Sequence, residues 1–385
     1  MGATSPSHKK DIFNDNINKE LFHNIGDLIK EMKLKIKIMD SKIKILENIQ
    51  YTITSDSEKN KIPTIENMNN IIKNLDSIIA SITSIIPATK KLNNNLNIPL
   101  IGLGTSRIKN VEEVVYHSIK DGVRLIDTAL LYKNEEDIGK GIKKAINEGI
   151  VKREELFIVD KLWIDDRINP EKALREALKK LDMEYIDLYL DHWPSGDVFL
   201  EDKKTKMIPI FELWPKMEDL VNKGLTKSIG CSNYNVQSLL NLLSFCKIRP
   251  VVNQVEFHPY YYQKGLKDFC EKENIALMAY YPLAKGNGAK NYIKEHNGEI
   301  DLFHDKLVKP YSKKYNKSYG QIILNWHIHQ GIIAIPSTSK CERMKENLES
   351  LFFEMSEEDV NNLCCYGKKI KFCGCKRFFG YNIMA

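Results

Sequence analysis

The chain has 385 residues, 43% of them apolar and 28% charged, which suits a soluble globular protein with one large core or two smaller ones. Its net charge of +6 is spread thinly and forms no basic block, so nucleic acid is a poor candidate partner. No signal-peptide pattern opens the chain and no apolar run reaches membrane-spanning length, which makes a cytoplasmic protein without a membrane role the expectation.

Residues 1–90 differ in composition from the rest: they hold no Arg, Cys or Trp and two Gly, with much Ile, Asn and Lys. Phe22, Ile25, Ile29, Met32, Ile36, Met39, Ile43 and Leu46 are spaced alternately by three and four. Ile65, Met68, Ile72, Leu75, Ile79, Ile82 and Ile86 repeat the pattern, with Pro63-Thr64 as a start signal and Pro87 as a stop. This predicts a helical, coiled-coil-like N-terminal extension, either a hairpin across the polar loop 51–63 or an oligomerising pair. Two other readings fit: a strand in which Leu34, Ile36 and Ile38 alternate with lysines, and a biased tail with chance periodicity. Self-association or a protein partner through residues 22–86 is the corresponding expectation.

After Lys91 strand and helix patterns alternate. Strands are predicted at 99–103, 123–126, 156–160, 186–191, 227–231, 251–256, 276–280 and 332–335. Helices include 134–148, 170–181, 211–223, 235–244, 263–273 and 318–330. Eight strands alternating with helices predict an α/β fold, a (β/α)8 TIM barrel over residues 91–385, whose active site would lie at the C-terminal strand ends. No Gly-x-Gly-x-x-Gly or Walker-type loop follows any strand, which leaves the Rossmann and P-loop readings without support.

Four residues at those strand ends form a chemical set. Asp127 and Tyr132 lie in D-T-A-L-L-Y-K-N-E, Lys161 in V-D-K-L-W and His192 in L-D-H-W-P. Carbonyl reduction by hydride transfer needs such groups. A tyrosine can donate the proton, a lysine can lower its pKa from about 10, a carboxylate can keep the lysine charged and a histidine can orient the carbonyl.

With these stretches in view, residues about 91–385 resemble the aldo-keto reductase family, in its aldose-reductase-like branch. The matching segments run in the family's order: I-P-L-I-G-L-G-T, the three stretches above, I-G-C-S-N-Y, N-Q-V-E-F-H-P, A-Y-Y-P-L and I-P-S-T-S-K-C-E-R-M-K-E-N. The resemblance implies a catalytic tetrad of Asp127, Tyr132, Lys161 and His192. It implies that Ser232, Asn233 and Gln254 hold a nicotinamide carboxamide while Tyr280 stacks on the ring. Ser337, Thr338, Arg343 and Asn347 would meet the adenosine 2′-phosphate and adenine, and Trp163 and Trp193 would line the substrate pocket. The expected activity is NADPH-dependent reduction of aldehydes or aldoses, small carbonyl compounds. The alternative is a regulatory barrel like the potassium-channel β subunits, which also carry an N-terminal extension.

Several positions depart from the family's pattern. Ser337 replaces a lysine that many members use for the 2′-phosphate, with Arg343 and Lys340 able to compensate, so NADPH is expected ahead of NADH. Ser106 replaces a pocket tryptophan, and the loop 195–210 is short. Asp160 and Asp191 stand where members carry Ser or Thr and an apolar residue. Strand alternation points both outward to the helix layer, where an unpaired carboxylate is costly. With no partner legible, Asp191→Leu is expected to be neutral or stabilising. Cys364, Cys365, Cys373 and Cys375 cluster near the C-terminus, but no CxxC pair occurs, so reduced thiols and no metal site are expected.

Overall fold

The computed structural model describes residues 88–194, 199–200, 203–204, 208–284, 306–364 and 369–373. The heptad-patterned stretch of the N-terminal extension lies outside the described residues, as does most of the loop 195–210. A short antiparallel hairpin, β1 (Thr89–Lys91) and β2 (Asn97–Pro99), precedes the barrel. Eight parallel strands follow: β3 (Leu103–Gly104), β4 (Leu125–Asp127), β5 (Phe157–Leu162), β6 (Leu188–Asp191), β9 (Ile229–Ser232), β10 (Val252–Glu256), β11 (Ala276–Tyr280) and β12 (Ile333–Ala334). They neighbour one another in that order. The ring closes where Gly102 N–H donates to Ala334 O at 2.9 Å and Ala334 N–H to Leu100 O at 2.8 Å. A Cβ on Gly102 would stand 2.4 Å from Leu125 Cγ, so the seam admits only glycine there. A two-stranded ribbon, β7 (Phe199–Leu200) and β8 (Lys203–Lys204), branches off after β6.

Helices α1 (Val111–Lys120), α2 (Glu135–Asn147), α3 (Pro170–Leu181), α4 (Ile210–Asn222), α5 (Val236–Leu243), α6 (Lys264–Lys272), α7 (Val308–Tyr315) and α8 (Tyr319–His329) connect the strands, and α9 (Cys341–Leu348) and α10 (Glu357–Cys364) follow β12. Helix α3 shows why they form. Asn169 accepts from Lys172 N–H, Pro170 opens the first turn, and Ala173, Leu174, Ala177, Leu178 and Leu181 make one buried stripe. Asp182, in the left-handed region at φ 55°, ends it.

Alternation along the strands sorts side chains between two cores. Leu125, Phe157, Val159, Leu188, Leu190, Val252, Met278 and Ile333 fill the barrel interior. Ile126, Ile158, Tyr189, Ile229, Val255, Leu277 and Ala279 face the helices. The hairpin plugs the N-terminal end of the barrel: Leu92 and Ile98 join the interior core. Lys90 Nζ bonds Gly331 O, just before β12, and Asn93 Nδ2 bonds Pro250 O, just before β10. The predicted strand 99–103 is therefore two elements, its first residue in the hairpin and its last in the barrel. Its continuous apolar run carries no mark of the break, because both pieces are buried, Ile98 and Leu100 in the interior core and Leu103 in the helix-facing one.

Candidate active site

Six of the barrel strands deliver inward-facing polar residues to the C-terminal rim. Asp127 ends β4, Lys161 is the fifth residue of β5, and His192 follows β6. Ser232 ends β9, Gln254 lies on β10, and Tyr280 ends β11. Tyr132 comes from the turn after β4, whose backbone closes with Tyr132 N–H on Ala129 O at 2.8 Å. Asn134 fixes that turn: its Oδ1 accepts from Thr128 Oγ1, and its Nδ2 donates to Thr105 O.

Lys161 is fully buried, and its ammonium donates to Asp127 Oδ1 at 2.7 Å and to Thr128 O at 2.6 Å. The same ammonium lies 5.1 Å from the centroid of the Tyr132 ring and opposes the rise in that phenol's pKa. Asp127 Oδ2 accepts from Gln254 Nε2 at 2.7 Å. Burial alone would lower the Lys161 pKa, but the Asp127 carboxylate and the Tyr132 hydroxyl hold it above the usual lysine value. Burial raises the Asp127 carboxyl, with Lys161 and Gln254 opposing. The Tyr132 phenol is also raised by enclosure, and Lys161 offsets this only in part. The net lowering expected from the lysine is thus not what the site produces, because desolvation of the phenolate outweighs the ammonium; the phenol stays protonated and able to donate.

His192 sits edge-on to Tyr132, with ring centroids 6.2 Å apart, and to Trp163 at 5.2 Å. Burial and the nearby Lys161 ammonium push its pKa well below the usual histidine value, so the imidazole is neutral. Its Nδ1 has no hydrogen-bond partner among the described residues. Trp163 is half-buried at the rim, whereas Trp193 is 4% exposed and stacks beside His192.

Of the residues expected to hold a cofactor, four come together. Tyr280 donates its hydroxyl to Asn233 Oδ1 at 2.8 Å, and Asn233 Nδ2 donates to Ser232 Oγ and to His192 O. Ser232 Oγ donates to Gln254 O. Asn233 reaches this position through a left-handed backbone at φ 65°. A hydroxyl, two side-chain amides and a half-buried phenol ring on the rim are a donor set that fits a nicotinamide carboxamide and its ring. Ser337, Lys340 and Arg343 lie exposed before and within α9, and Ser337 Oγ meets Ser106 O. Thr338 Oγ1 accepts from Lys340 N–H. Asn347 is 7% exposed, and its amide donates to Met344 Sδ one helical turn back.

Asp160 and Asp191 point outward, as alternation predicts, but Asp191 has partners. Tyr234 donates its hydroxyl to Asp191 Oδ2 at 2.7 Å, and Arg167 Nη2, itself buried, lies 3.4 Å away. Replacement by leucine alone would leave that guanidinium buried without its carboxylate, which overturns the neutral-or-stabilising expectation. Asp160 Oδ1 accepts from Lys161 N–H at 2.7 Å, and burial with the neighbouring Glu135 raises its pKa to about 7. Arg167 and Tyr234 could not be singled out from the sequence, since each meets Asp191 only through the fold. Among the described residues no group of three or more His, Cys, Asp or Glu could hold a metal ion, and Cys231, Cys246, Cys270 and Cys341 are free thiols. Cys365 and Cys375 lie outside the described residues.

The profile of the Aldo/keto reductase family matches residues 100–364. Aldose reductase B of Dictyostelium discoideum is 37% identical over 305 residues, covering 74% of this chain and 94% of that protein. An NAD(P)H-dependent D-xylose reductase of Pyricularia oryzae shows the same identity and coverage. Among solved structures, the Bombyx mori aldo-keto reductase in complex with NADP superposes with a TM-score of 0.71 at 36% identity, covering 77% of this chain and 98% of that one. Fold, rim geometry and these similarities agree, and the chain belongs to the aldo/keto reductase family.

Proposed function

We propose that this protein is an NADPH-dependent reductase of aldehydes, aldoses among them. The observation that carries the reading is the buried Lys161 ammonium, bonded to Asp127 and 5.1 Å from the centroid of the Tyr132 ring, with the neutral His192 imidazole edge-on to that ring. When bound, NADPH supplies the hydride that adds to the carbonyl carbon. Ser232, Asn233 and Gln254 hold the carboxamide end of the cofactor, and Tyr280 offers its ring face to the nicotinamide. Arg343, with Ser337, Thr338 and Lys340 around the start of α9, takes the adenosine phosphate.

Tyr132 gives its proton to the carbonyl oxygen as charge develops there. Lys161 stabilises the phenolate left behind, and Asp127 keeps the ammonium oriented through the 2.7 Å bond. Neutral His192 donates a hydrogen bond to the same oxygen and sets the carbonyl's angle; Trp163 flanks it. A phenol that is protonated at rest suits the reductive direction, which consumes a proton.

The relatives described above are reductases, and no observation favours the regulatory barrel. The reading extends to a cytoplasmic setting, which the free thiols of Cys231, Cys246, Cys270 and Cys341 suit, and among the described residues no helix is long and apolar enough to cross a membrane. It also extends to a separate helical domain over residues 1–90 that self-associates or binds a protein partner through 22–86, on the strength of the heptads. Loss of reduced-nicotinamide absorbance, followed with a panel of aldehydes and aldoses beside Tyr132→Phe, tests the core of it. Turnover in the wild type that falls about 10²–10⁴-fold in the variant supports the assignment. Turnover that survives the substitution removes Tyr132 from its role. Deletion of residues 1–90 with light scattering tests the extension: an unchanged mass refutes assembly through it.

A further inference from the structure

Glu256 is the last residue of β10 and lies two positions beyond Gln254, so alternation turns it to the barrel rim beside the active site. It is 1% exposed. A carboxylate removed from water needs donors to replace its hydration, and these come from a distant part of the chain. Oε1 accepts from Phe372 N–H at 2.6 Å and Oε2 from Cys373 N–H at 2.8 Å. His258 Nε2 lies 3.0 Å from Oε1. Two successive amides on the two oxygens of one carboxylate make a bidentate grip on the backbone at Phe372 and Cys373.

The rest of that segment docks on the loop after β10. Ile370 N–H donates to Tyr260 O at 2.8 Å, and Lys369 forms an antiparallel bridge with Tyr261. Phe372 is 8% exposed, and its ring lies 5.2 Å from that of His258. The consequence reaches the active site through Cys373. Next to it, the Phe372 ring lies 6.4 Å from that of Tyr281, the neighbour of Tyr280, and the Cys373 thiol is close enough to Tyr280 and Tyr132 to raise both phenols' pKa. One buried carboxylate therefore places a C-terminal segment against both the tyrosine that protonates the substrate and the tyrosine that carries the nicotinamide.

We infer that Glu256 is a positioning residue: its grip on Phe372 and Cys373 builds one wall of the carbonyl pocket and so selects among aldehydes by size. The inference rests on the reductase reading for its substrates, and it acts through residues 372–373, since Glu256 itself meets no reacting atom. An aromatic or long aldehyde fills the pocket as far as this wall. A two-carbon aldehyde, held by Tyr132 and His192 alone, does not need it.

The test compares full-length wild type with Glu256→Gln, whose amide offers one oxygen and sets an N–H₂ against an N–H. NADPH affinity is read from tryptophan fluorescence, KM and kcat from turnover of glycolaldehyde and of benzaldehyde, and the rate of Cys373 alkylation by iodoacetamide from peptide mass spectrometry. Loss of one charge-assisted hydrogen bond should raise the benzaldehyde KM and the Cys373 alkylation rate each by about tenfold. NADPH affinity, both kcat values and the glycolaldehyde KM should stay within about threefold. Equal loss for both aldehydes, or an unchanged alkylation rate, overturns the inference. If Glu256→Gln does not fold, Phe372→Pro deletes one gripped N–H with the carboxylate intact. Faster alkylation of Cys373 in that variant is the expected result, and an unchanged rate is fatal. Absence of turnover in the wild type would sink the reductase reading instead, while alkylation would still judge the grip.

Discussion

On β5 and β6, neighbours in sequence look in opposite directions: Lys161 and His192 into the barrel rim, Asp160 and Asp191 into the layer beneath the helices. Both faces are withdrawn from water, yet they differ in how well their charges are supplied with partners. Inside, the Lys161 ammonium has two hydrogen bonds under 2.8 Å, and Asp127 spends its second oxygen on Gln254. Outside, the nearest nitrogen of Arg167 stands 3.4 Å from Asp191, and none of its side-chain nitrogens makes a hydrogen bond among the described residues. Asp160 Oδ2 and Asp191 Oδ1 have none either. The same desolvation is answered by geometry on one face and only tolerated on the other, which is what separates a chemical site from a costly substitution in a core.

The largest effect should come from breaking the inner face. Lys161→Met should cut turnover by about 10³-fold, within the range for a general acid assembly, and leave Asp127 buried without a cation. Steady-state rates check this, and retention within tenfold of wild type would detach the lysine from the chemistry. The outer pair comes next. Asp191→Leu should cost about 3 kcal/mol in denaturant unfolding, because Arg167 remains buried and unpaired, while Arg167→Met with Asp191→Leu should recover most of the loss. A double variant no better than the single one would show that the two do not act as a pair.

Asp160 sharpens the comparison through pH. Its folded pKa of about 7 exceeds the 3.8 of the free carboxyl, so between about pH 4 and 7 the folded chain keeps a proton the unfolded chain has released. Raising pH through that window therefore weakens the fold. Asp160→Asn, whose side-chain oxygen can still accept from Lys161 N–H, should remove on the order of 2 kcal/mol of that loss between pH 5 and 8. Parallel curves for the two proteins across the window would refute the assignment. The smallest effect concerns the cofactor: Arg343→Ala should raise the KM for NADPH about tenfold and that for NADH far less, the signature of a lost phosphate contact. Equal changes for both cofactors would place the arginine elsewhere.

Much of the barrel was legible because its local signals agree. The Asn169-Pro170 cap and the apolar stripe behind it predict helix 170–181 with the bounds observed, and the run A-L-M-A-Y predicts β11. The first strand differs from its predicted span because I-P-L-I-G-L is apolar throughout, whether it plugs the barrel floor or forms its wall. In the site, Asp127, Tyr132, Lys161 and His192 were visible as chemically complementary residues at strand ends. Glu256 lay in plain view within N-Q-V-E-F-H-P, two residues beyond Gln254, but nothing near it in sequence shows that the amides of Phe372 and Cys373 would meet it.

The sequence by itself determined the strand–helix alternation, the rim on which chemistry gathers and the outward direction of Asp160 and Asp191, since each follows from periods of two and 3.6 along a local stretch. Only the tertiary structure decided what those residues meet. It brought Arg167 and Tyr234 to Asp191, turned Asn347 back toward Met344 and laid Phe372 and Cys373 on Glu256. Partners of a buried charge are chosen by which strands and loops close next to one another, and ring closure joins positions more than a hundred residues apart without leaving a trace in either neighbourhood.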